Sequence, residues 1–273
     1  MNLNILISTI DGGIFKCKDI ILPCRSDVSY IISHQYRDEK YKTIPNDLIR
    51  KDITISQIPG FGVTKSRNNA IRLADGDIAL FSDDDVTYTN QYFDTIIEAF
   101  QSDSNIDIAL FKIKTPDGFP EYKNYPASKI EVNKKLPFYI GTIEIAIKVD
   151  AIKRKGVLFD ERFGAGQPEL LGSDENIFVI DSIKKGLRVV YFPQYIVEHP
   201  YESTIKNISY FDKRRVKNVG AYEARIYGFF AYFIAIYATI VMFFKMIKKK
   251  VNPLKYLYQR FSAISYILRT NNQ

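Results

Sequence analysis

The chain has 273 residues, 46% hydrophobic and 25% charged. That balance excludes a disordered polypeptide and suffices for one large domain, or for one domain with an appendage. A formal charge of +7 points to a polyanionic partner: phosphates, nucleic acid or an anionic membrane. The two cysteines, Cys17 and Cys24, lack metal-ligand spacing and read as free thiols of a reducing compartment. The first residues, MNLNILISTIDGG, have neither a basic leader nor a long apolar core. They read as a strand rather than a signal peptide, so the folded body is expected to stay where it is made.

In chain order, Leu3 to Ile10 predicts a strand ending at Asp11-Gly12-Gly13, and Ser29 to Ser33 a second strand running into His34-Gln35. Ile53 to Ile58 is a short third. Thr64 to Ala74 places Ala70, Ile71, Leu73 and Ala74 among polar residues, a helix closed by Asp75-Gly76. Ile78 to Ser82 is the next strand, and it ends in Asp83, Asp84 and Asp85. Asn90 to Gln101 carries Tyr92, Phe93, Ile96, Ile97 and Phe100 at helical spacing, and Ile106 to Lys112 is a further strand. Residues 113–137, rich in Pro, Lys, Tyr and Asn, read as an irregular insertion. Structure resumes at Ile140, with a helix over Glu175 to Lys185 ended by Gly186, and a strand over Leu187 to Phe192 stopped by Pro193. Strands alternating with helices predict an α/β fold with a mainly parallel central sheet.

The last quarter of the chain differs. Ile226 to Phe244 is a 19-residue run without a charge, about 28 Å long as a helix and barely the thickness of a bilayer's hydrocarbon. Lys213, Arg214, Arg215, Lys217 and Arg225 precede it; Lys245, Lys248, Lys249, Lys250, Lys255 and Arg260 follow. Positive residues prefer the cytoplasmic side, so a single crossing would strand one cluster on the wrong side. A re-entrant or in-plane arrangement is therefore favoured over a span or a soluble interaction helix. Leu254, Leu257, Phe261, Ile264 and Leu268 then repeat at the spacing of an amphipathic helix.

Three adjacent carboxylates repel one another unless they bind a hard cation or lie in a solvated turn. On an extended segment, Asp83 and Asp85 would point to one side and Asp84 to the other. Carboxylates of this kind suit Mg²⁺ or Mn²⁺ shared with substrate phosphates. No G-x-x-x-x-G-K-[ST] run is present, which argues against a P-loop nucleotide site.

The acids do not stand alone. Gly62 precedes Ser66-Arg67-Asn68; Ala74-Asp75-Gly76-Asp77, an apolar strand and Asp83-Asp84-Asp85 follow in order. Further on, Phe159-Asp160-Glu161-Arg162-Phe163-Gly164 precedes Gly172-Ser173-Asp174-Glu175, with Gly186, Pro193 and His199 as later landmarks. In these segments, over about residues 3 to 203, the chain resembles the family 2 glycosyltransferases of the GT-A fold, of the type used for bacterial surface polysaccharides. The resemblance implies a GT-A catalytic domain over 1–210, with a nucleotide-sugar half at 1–112 and an acceptor half at 113–210. The basic, apolar segment 211–273 would be membrane-associated helices.

It further implies an inverting, metal-dependent transfer of a sugar from a nucleotide-sugar to a saccharide acceptor. Asp83, Asp85 and His199 would hold Mn²⁺ or Mg²⁺, Thr9, Arg67, Asp83 and Asp84 would contact the donor, and Asp174 would be the general base. With the tail, this predicts a lipid-linked acceptor and a peripheral or monotopic enzyme on the cytoplasmic face of a bacterial membrane. No nucleic-acid partner is expected, because no such motif accompanies the basic residues.

Two positions depart from the family pattern. The second strand ends in Ser33-His34-Gln35 where relatives carry acids that help bind the base, and Ser173 replaces a Glu before Asp174. The residue types leave other readings open. Asp174 and Glu175 also suit the acidic first turn of a helix, Arg67 an ordinary helix-face charge, and His199 a structural histidine beside a proline. A metal-dependent nucleotidyltransferase and a membrane adaptor with a structural acid cluster are the competing functions.

Overall fold

The computed structural model describes residues 1–133, 135–201 and 209–270. The chain divides into two compact units, Met1–Glu161 with Phe178–Tyr201, and Arg162–Ile177 with Glu202–Gln273. The expected boundary near residue 210 follows a stretch, 202–208, that lies outside the described residues.

The first unit is built on an eight-stranded sheet. Its strands are β1 (Leu3–Ile10), β2 (Val28–Tyr36), β3 (Ile53–Pro59), β4 (Ile78–Ser82), β5 (Ile108–Lys114), β6 (Ile130–Val132), β7 (Ile145–Lys148) and β8 (Val189–Glu198). The spatial order is β3-β2-β1-β4-β7-β5-β8-β6. From β3 to β4 the sheet is parallel. β7 then enters antiparallel between β4 and β5, β5 pairs parallel with β8, and β6 closes the edge antiparallel. Helices α1 (Val63–Leu73), α2 (Asn90–Ser102) and α3 (Val149–Lys155) pack on it. A further helix, α4 (Asp174–Lys184), starts in the second unit and ends in the first.

Both faces of the sheet are covered, which explains why its strands read as continuous apolar runs rather than alternating ones. Leu3, Ile5 and Ile7 of β1 join Tyr30, Ile32, Leu80, Phe93 and Ile96 in one core. Leu6, one residue out of phase, joins Ile31, Ile71, Phe81, Phe159 and Phe178 in the other. The chain goes from β1 to β2 on one side and returns to β4 on the other. Such a reversal leaves a crevice at the carboxyl ends of the strands, where α/β sheets bind ligands.

Two departures from the sequence expectation have local causes. The segment 113–137 contains β6, whose Ile130, Glu131 and Val132 pair with β8. Pro193 does not stop the last strand, because β8 runs on to Glu198. Leu110 pairs with Tyr191 and Lys112 with Tyr195, so β8 holds Phe192, Pro193 and Gln194 where β5 has only Phe111. Pro193 thus sits in a bulge, where the ladder does not ask for the N–H that proline lacks.

The second unit contains α5 (Lys213–Tyr227), α6 (Ala231–Val241), α7 (Phe243–Lys248) and α8 (Pro253–Thr270). Its core joins Phe163, Leu170 and Ile177 to Ala221, Ala224, Ala231, Ala235, Ala263, Ile264 and Ile267. Arg260 is buried and donates to Glu223 and to the Tyr256 hydroxyl. Burial raises the Glu223 carboxyl despite that partner. The uncharged run 226–244 is not one helix: α5 stops before Gly228 and α6 stops before Met242.

Candidate active site

β1 and β4 are parallel neighbours, with Ile7 beside Ser82. The residues that follow each strand therefore meet at the carboxyl edge. The chain bends at Asp84 and Asp85, so strand alternation does not carry past Ser82 and the three carboxylates go to three different partners.

Asp83 accepts from Arg67 Nη2 at 3.4 Å. Arg67 is buried on α1, with its guanidinium 5.6 Å from the centre of the Phe159 ring. Asp84 accepts from Thr9 Oγ1 at 2.5 Å. Burial raises the Asp84 carboxyl, against the lowering effect of that bond. Gly13 is what lets the loop after β1 close over this pair: a Cβ there would stand 2.1 Å from Asp84 Oδ2 and 2.3 Å from Thr9 Oγ1. Asp85, more exposed, lies 3.6 Å from His199 Nε2.

His199 is brought to Asp85 by backbone pairing. Thr87 and Glu198 exchange hydrogen bonds of 2.9 and 3.0 Å, and His199 N donates to Lys114 O at 3.1 Å. Its Nδ1 is 2.6 Å from Pro200 O, a contact that requires Nδ1 to carry the proton. Nε2 is the ring nitrogen that faces the Asp85 carboxylate. A backbone carbonyl that orients one ring nitrogen while the other is free to coordinate is the usual outer shell of a metal-binding histidine. Asp85 and His199 are one oxygen and one nitrogen donor, a set that suits Mn²⁺ or Mg²⁺ completed by substrate phosphates. Among the described residues no group of three or more His, Cys, Asp or Glu side chains is placed to hold a metal.

The Ser66-Arg67-Asn68 triplet ties three segments together. Ser66 Oγ donates to Ser33 O at 2.8 Å, anchoring α1 to β2. Arg67 reaches Asp83. Asn68 Nδ2 donates to Phe159 O and Glu161 Oε1, both at 3.0 Å, and its Oδ1 accepts from Phe159 N at 2.8 Å. The Ala74–Asp77 turn is structural: Asn4 Oδ1 accepts from Asp75 N at 2.9 Å and Gly76 N at 2.7 Å.

At the end of β2 the three open positions separate. His34 is fully buried, with Nε2 2.9 Å from Asp11 O and Nδ1 3.2 Å from Gln57 Nε2. Burial lowers its pKa, so it is a neutral structural histidine. Ser33 Oγ accepts from Asn69 Nδ2 at 3.0 Å. Gln35 is buried, and its amide nitrogen has no hydrogen-bond partner among the described residues.

Sequence reasoning missed Asp11 and Arg37. Asp11 accepts from Arg37 N at 2.8 Å and Nε at 2.7 Å. Burial pushes the Asp11 carboxyl up, but Arg37 outweighs it and the group sits below the usual range. The only sequence signal was an acid opening the Gly12-Gly13 turn.

In the second unit Asp174 is buried at the first turn of α4. The loop before it is clamped from α5: Asn218 Nδ2 donates to Ser173 Oγ at 2.8 Å, and Asn218 Oδ1 accepts from Gly172 N at 3.2 Å. Ser173 has φ 70, an uncommon conformation for a residue with a side chain. The helix dipole favours a carboxylate at this position.

The family model described as Glycosyl transferase family 2 matches residues 39–153. Residues 39–153 are a family 2 glycosyltransferase segment. It contains Arg67 and the aspartate triple, while Thr9, Asp174 and His199 lie outside the matched span. Comparison with curated proteins gives no match.

Among solved structures, S. aureus TarS aligns with 17% identity and a TM-score of 0.55, over 84% of this chain and 44% of that one. TarS 1-349 in complex with UDP-GlcNAc aligns with 15% identity and a TM-score of 0.57, over 83% and 66%. The mannosyltransferase PcManGT from Pyrobaculum calidifontis, in complex with GDP-Man and Mn2+, aligns with 12% identity and a TM-score of 0.53, over 82% and 64%. The family 2 segment thus sits in a chain with the GT-A fold, and that chain spans less than half the length of full TarS.

Proposed function

We propose that the protein is an inverting glycosyltransferase that moves a sugar from a nucleotide-sugar to a saccharide acceptor with the help of a divalent metal. The observation that carries this reading is the Asp85–His199 pair beside the Arg67–Asp83 pair, at the carboxyl edge of the parallel strands. The family match and neighbours in complex with UDP-GlcNAc or with GDP-Man and Mn2+ support a nucleotide-sugar donor.

In this reading Asp85 and His199 hold Mn²⁺ or Mg²⁺, with Asp83 beside them. When bound, the ion neutralises the leaving diphosphate as a Lewis acid. Arg67, anchored by Asp83 and Phe159, supplies a fixed positive charge to the donor. Thr9 and Asp84 are donor contacts at the same edge. Gln35 is the base-reading side chain, since His34 has both ring nitrogens engaged and a buried amide without a partner costs free energy until something bonds it.

Asp174 takes the proton from the attacking acceptor hydroxyl, and one direct displacement inverts the anomeric centre. General-base help of this kind contributes ~10²–10⁴-fold in rate. The acceptor is proposed to be lipid-linked and the enzyme to work at the cytoplasmic face of a bacterial membrane, with 1–210 as catalytic domain and 211–273 as membrane-associated tail. The support is the apolar second half of the helical stretch Lys213–Val241 and the lysines beyond it.

The test is a screen of nucleotide-sugars for Mn²⁺-dependent binding and transfer. At least one should bind only with metal and yield the inverted product. A protein that binds no nucleotide-sugar with any divalent ion would overturn the reading.

A further inference from the structure

The second unit carries an apolar stripe that no described residue covers. Helix α6 packs through small residues, with Ala231 and Ala235 buried in the helical core and the Tyr232 hydroxyl 2.7 Å from Ser265 Oγ. On other faces Phe230 is 70% exposed, Phe233 59%, Tyr237 70%, Ile240 67% and Phe244 83%. Their spacing of three and four residues makes one ridge along the helix and into α7. A contiguous patch of large side chains of this kind marks an interaction surface.

Charge identifies the occupant. Lys245, Lys248, Lys249 and Lys250 end the ridge, all exposed, and no Asp or Glu occurs anywhere after Glu223. An acid-free cationic ridge repels a second copy of itself and complements an anionic headgroup layer. The backbone argues against a crossing. Gly228, at φ 59 and ψ −135, ends α5 in a conformation open to glycine. Beyond that break only 16 uncharged residues, 229–244, precede Lys245, about 24 Å as a helix against the ~30 Å hydrocarbon.

We propose that α6 and α7 form an in-plane anchor in one leaflet of an anionic bilayer, with the ridge from Phe230 to Phe244 in the acyl boundary and Lys245 to Lys250 on lipid phosphates. The proposal rests on the membrane location given above and commits it to a monotopic arrangement; it does not depend on the sugar chemistry.

The test is flotation of the purified full chain with phosphatidylcholine vesicles, with and without phosphatidylglycerol. The wild type should float mainly with the anionic vesicles. Phe230→Ser/Phe233→Ser/Phe244→Ser should lower partitioning at least ~tenfold on both vesicle types. Changing Lys245, Lys248, Lys249 and Lys250 to Gln should lower it at least ~tenfold on anionic vesicles alone. The changed side chains are solvent-facing, and far-UV circular dichroism and melting should match the wild type.

For topology, Arg214→Cys and Lys249→Cys, each in a Cys24→Ser background, should both react with an impermeant maleimide added outside sealed vesicles. Labelling of one only after detergent would mean a span and overturn the in-plane arrangement. A wild type that ignores vesicles, and is a dimer that the aromatic variant turns into a monomer, would make the ridge an interface between copies. Flotation needs no substrate, so a failed donor screen with normal flotation would sink only the catalytic reading.

Discussion

The two units arrange polarity in opposite ways. In the first, the sheet is dry and the charges gather at its carboxyl edge, where Asp83, Asp84 and Asp85 meet Arg67, Thr9 and His199. In the second, an ion pair, Arg260–Glu223, lies among helices while aromatic side chains face outward. A buried pair seldom adds net stability over an apolar equivalent, but it does forbid helix registers that would separate it. An outward apolar ridge is costly in water. The difference separates a unit whose charged side chains cluster at a strand edge from one whose large apolar side chains face outward, which is the contrast on which the proposed donor site and the proposed anchor rest.

That contrast can be broken by asking which substitutions cost chemistry and which cost stability. The largest expected effect is on rate. Asp174→Asn should leave donor binding intact and lower transfer by ~10²–10⁴-fold, read as product formation against metal-dependent donor binding by calorimetry. Full activity in that variant would remove Asp174 as the base.

Asp85→Ala should weaken Mn²⁺-dependent donor binding by at least roughly 10–100-fold, the cost of losing even an outer-shell partner of a metal. Its stability should move by no more than about 0.5 kcal/mol, since the side chain is exposed. Normal donor binding would mean that the Asp85–His199 pair is only structural.

The second unit should behave the other way. Arg260→Ala leaves the partly buried Glu223 carboxylate without its partner and should cost about 1.5–3 kcal/mol in urea unfolding, the range for a hydrogen bond to a charged group. Arg260→Met with Glu223→Leu should recover most of that loss. If the single and double variants were equally unstable, the pair would not be what orders these helices.

A smaller effect is expected from Gly13→Ala. The added methyl must displace Asp84 or Thr9, so a loss of about 1–3 kcal/mol is expected, as for other overpacked sites. Loosened donor binding should accompany it.

The mildest prediction concerns pH. The Asp11 carboxyl is held below its usual range in the fold, so its contribution is present above the unfolded value and fades as pH falls through the folded one. Asp11→Asn should therefore lower the melting temperature by a few degrees at neutral pH. The gap from wild type should close below about pH 4, the ordinary carboxylate range. A gap that widened in acid would contradict the sign of the shift.

Much of the sheet was legible because its signals are local. Strands β1 and β4 are apolar runs closed by Asp-Gly-Gly and by three acids, and α1 and α2 have helical periodicity between turn residues. Pro193 misled because a proline ends a strand only where the ladder needs its N–H, and the bulge opposite Phe111 removes that need. β6 escaped because a three-residue edge strand is held by its neighbour rather than by its own pattern. In the tail, composition alone could not tell one helix from several; Gly228 and Met242 divide it.

By itself the sequence determined which chemical groups this protein owns: the aspartate triple after an apolar run, the Ser-Arg-Asn segment before it, and a lysine-rich, aromatic tail without an acid after Glu223. Periodicity and composition are properties of adjacent residues, so they survive without coordinates. Only the tertiary structure decided the pairings. Arg67 went to Asp83, Thr9 to Asp84 and His199 to Asp85, His34 turned into the core, and Phe230, Phe233, Tyr237, Ile240 and Phe244 turned out of it. Those choices depend on which strand ends meet and where the chain bends, and nothing in the spacing of residues along the chain encodes a distance across it.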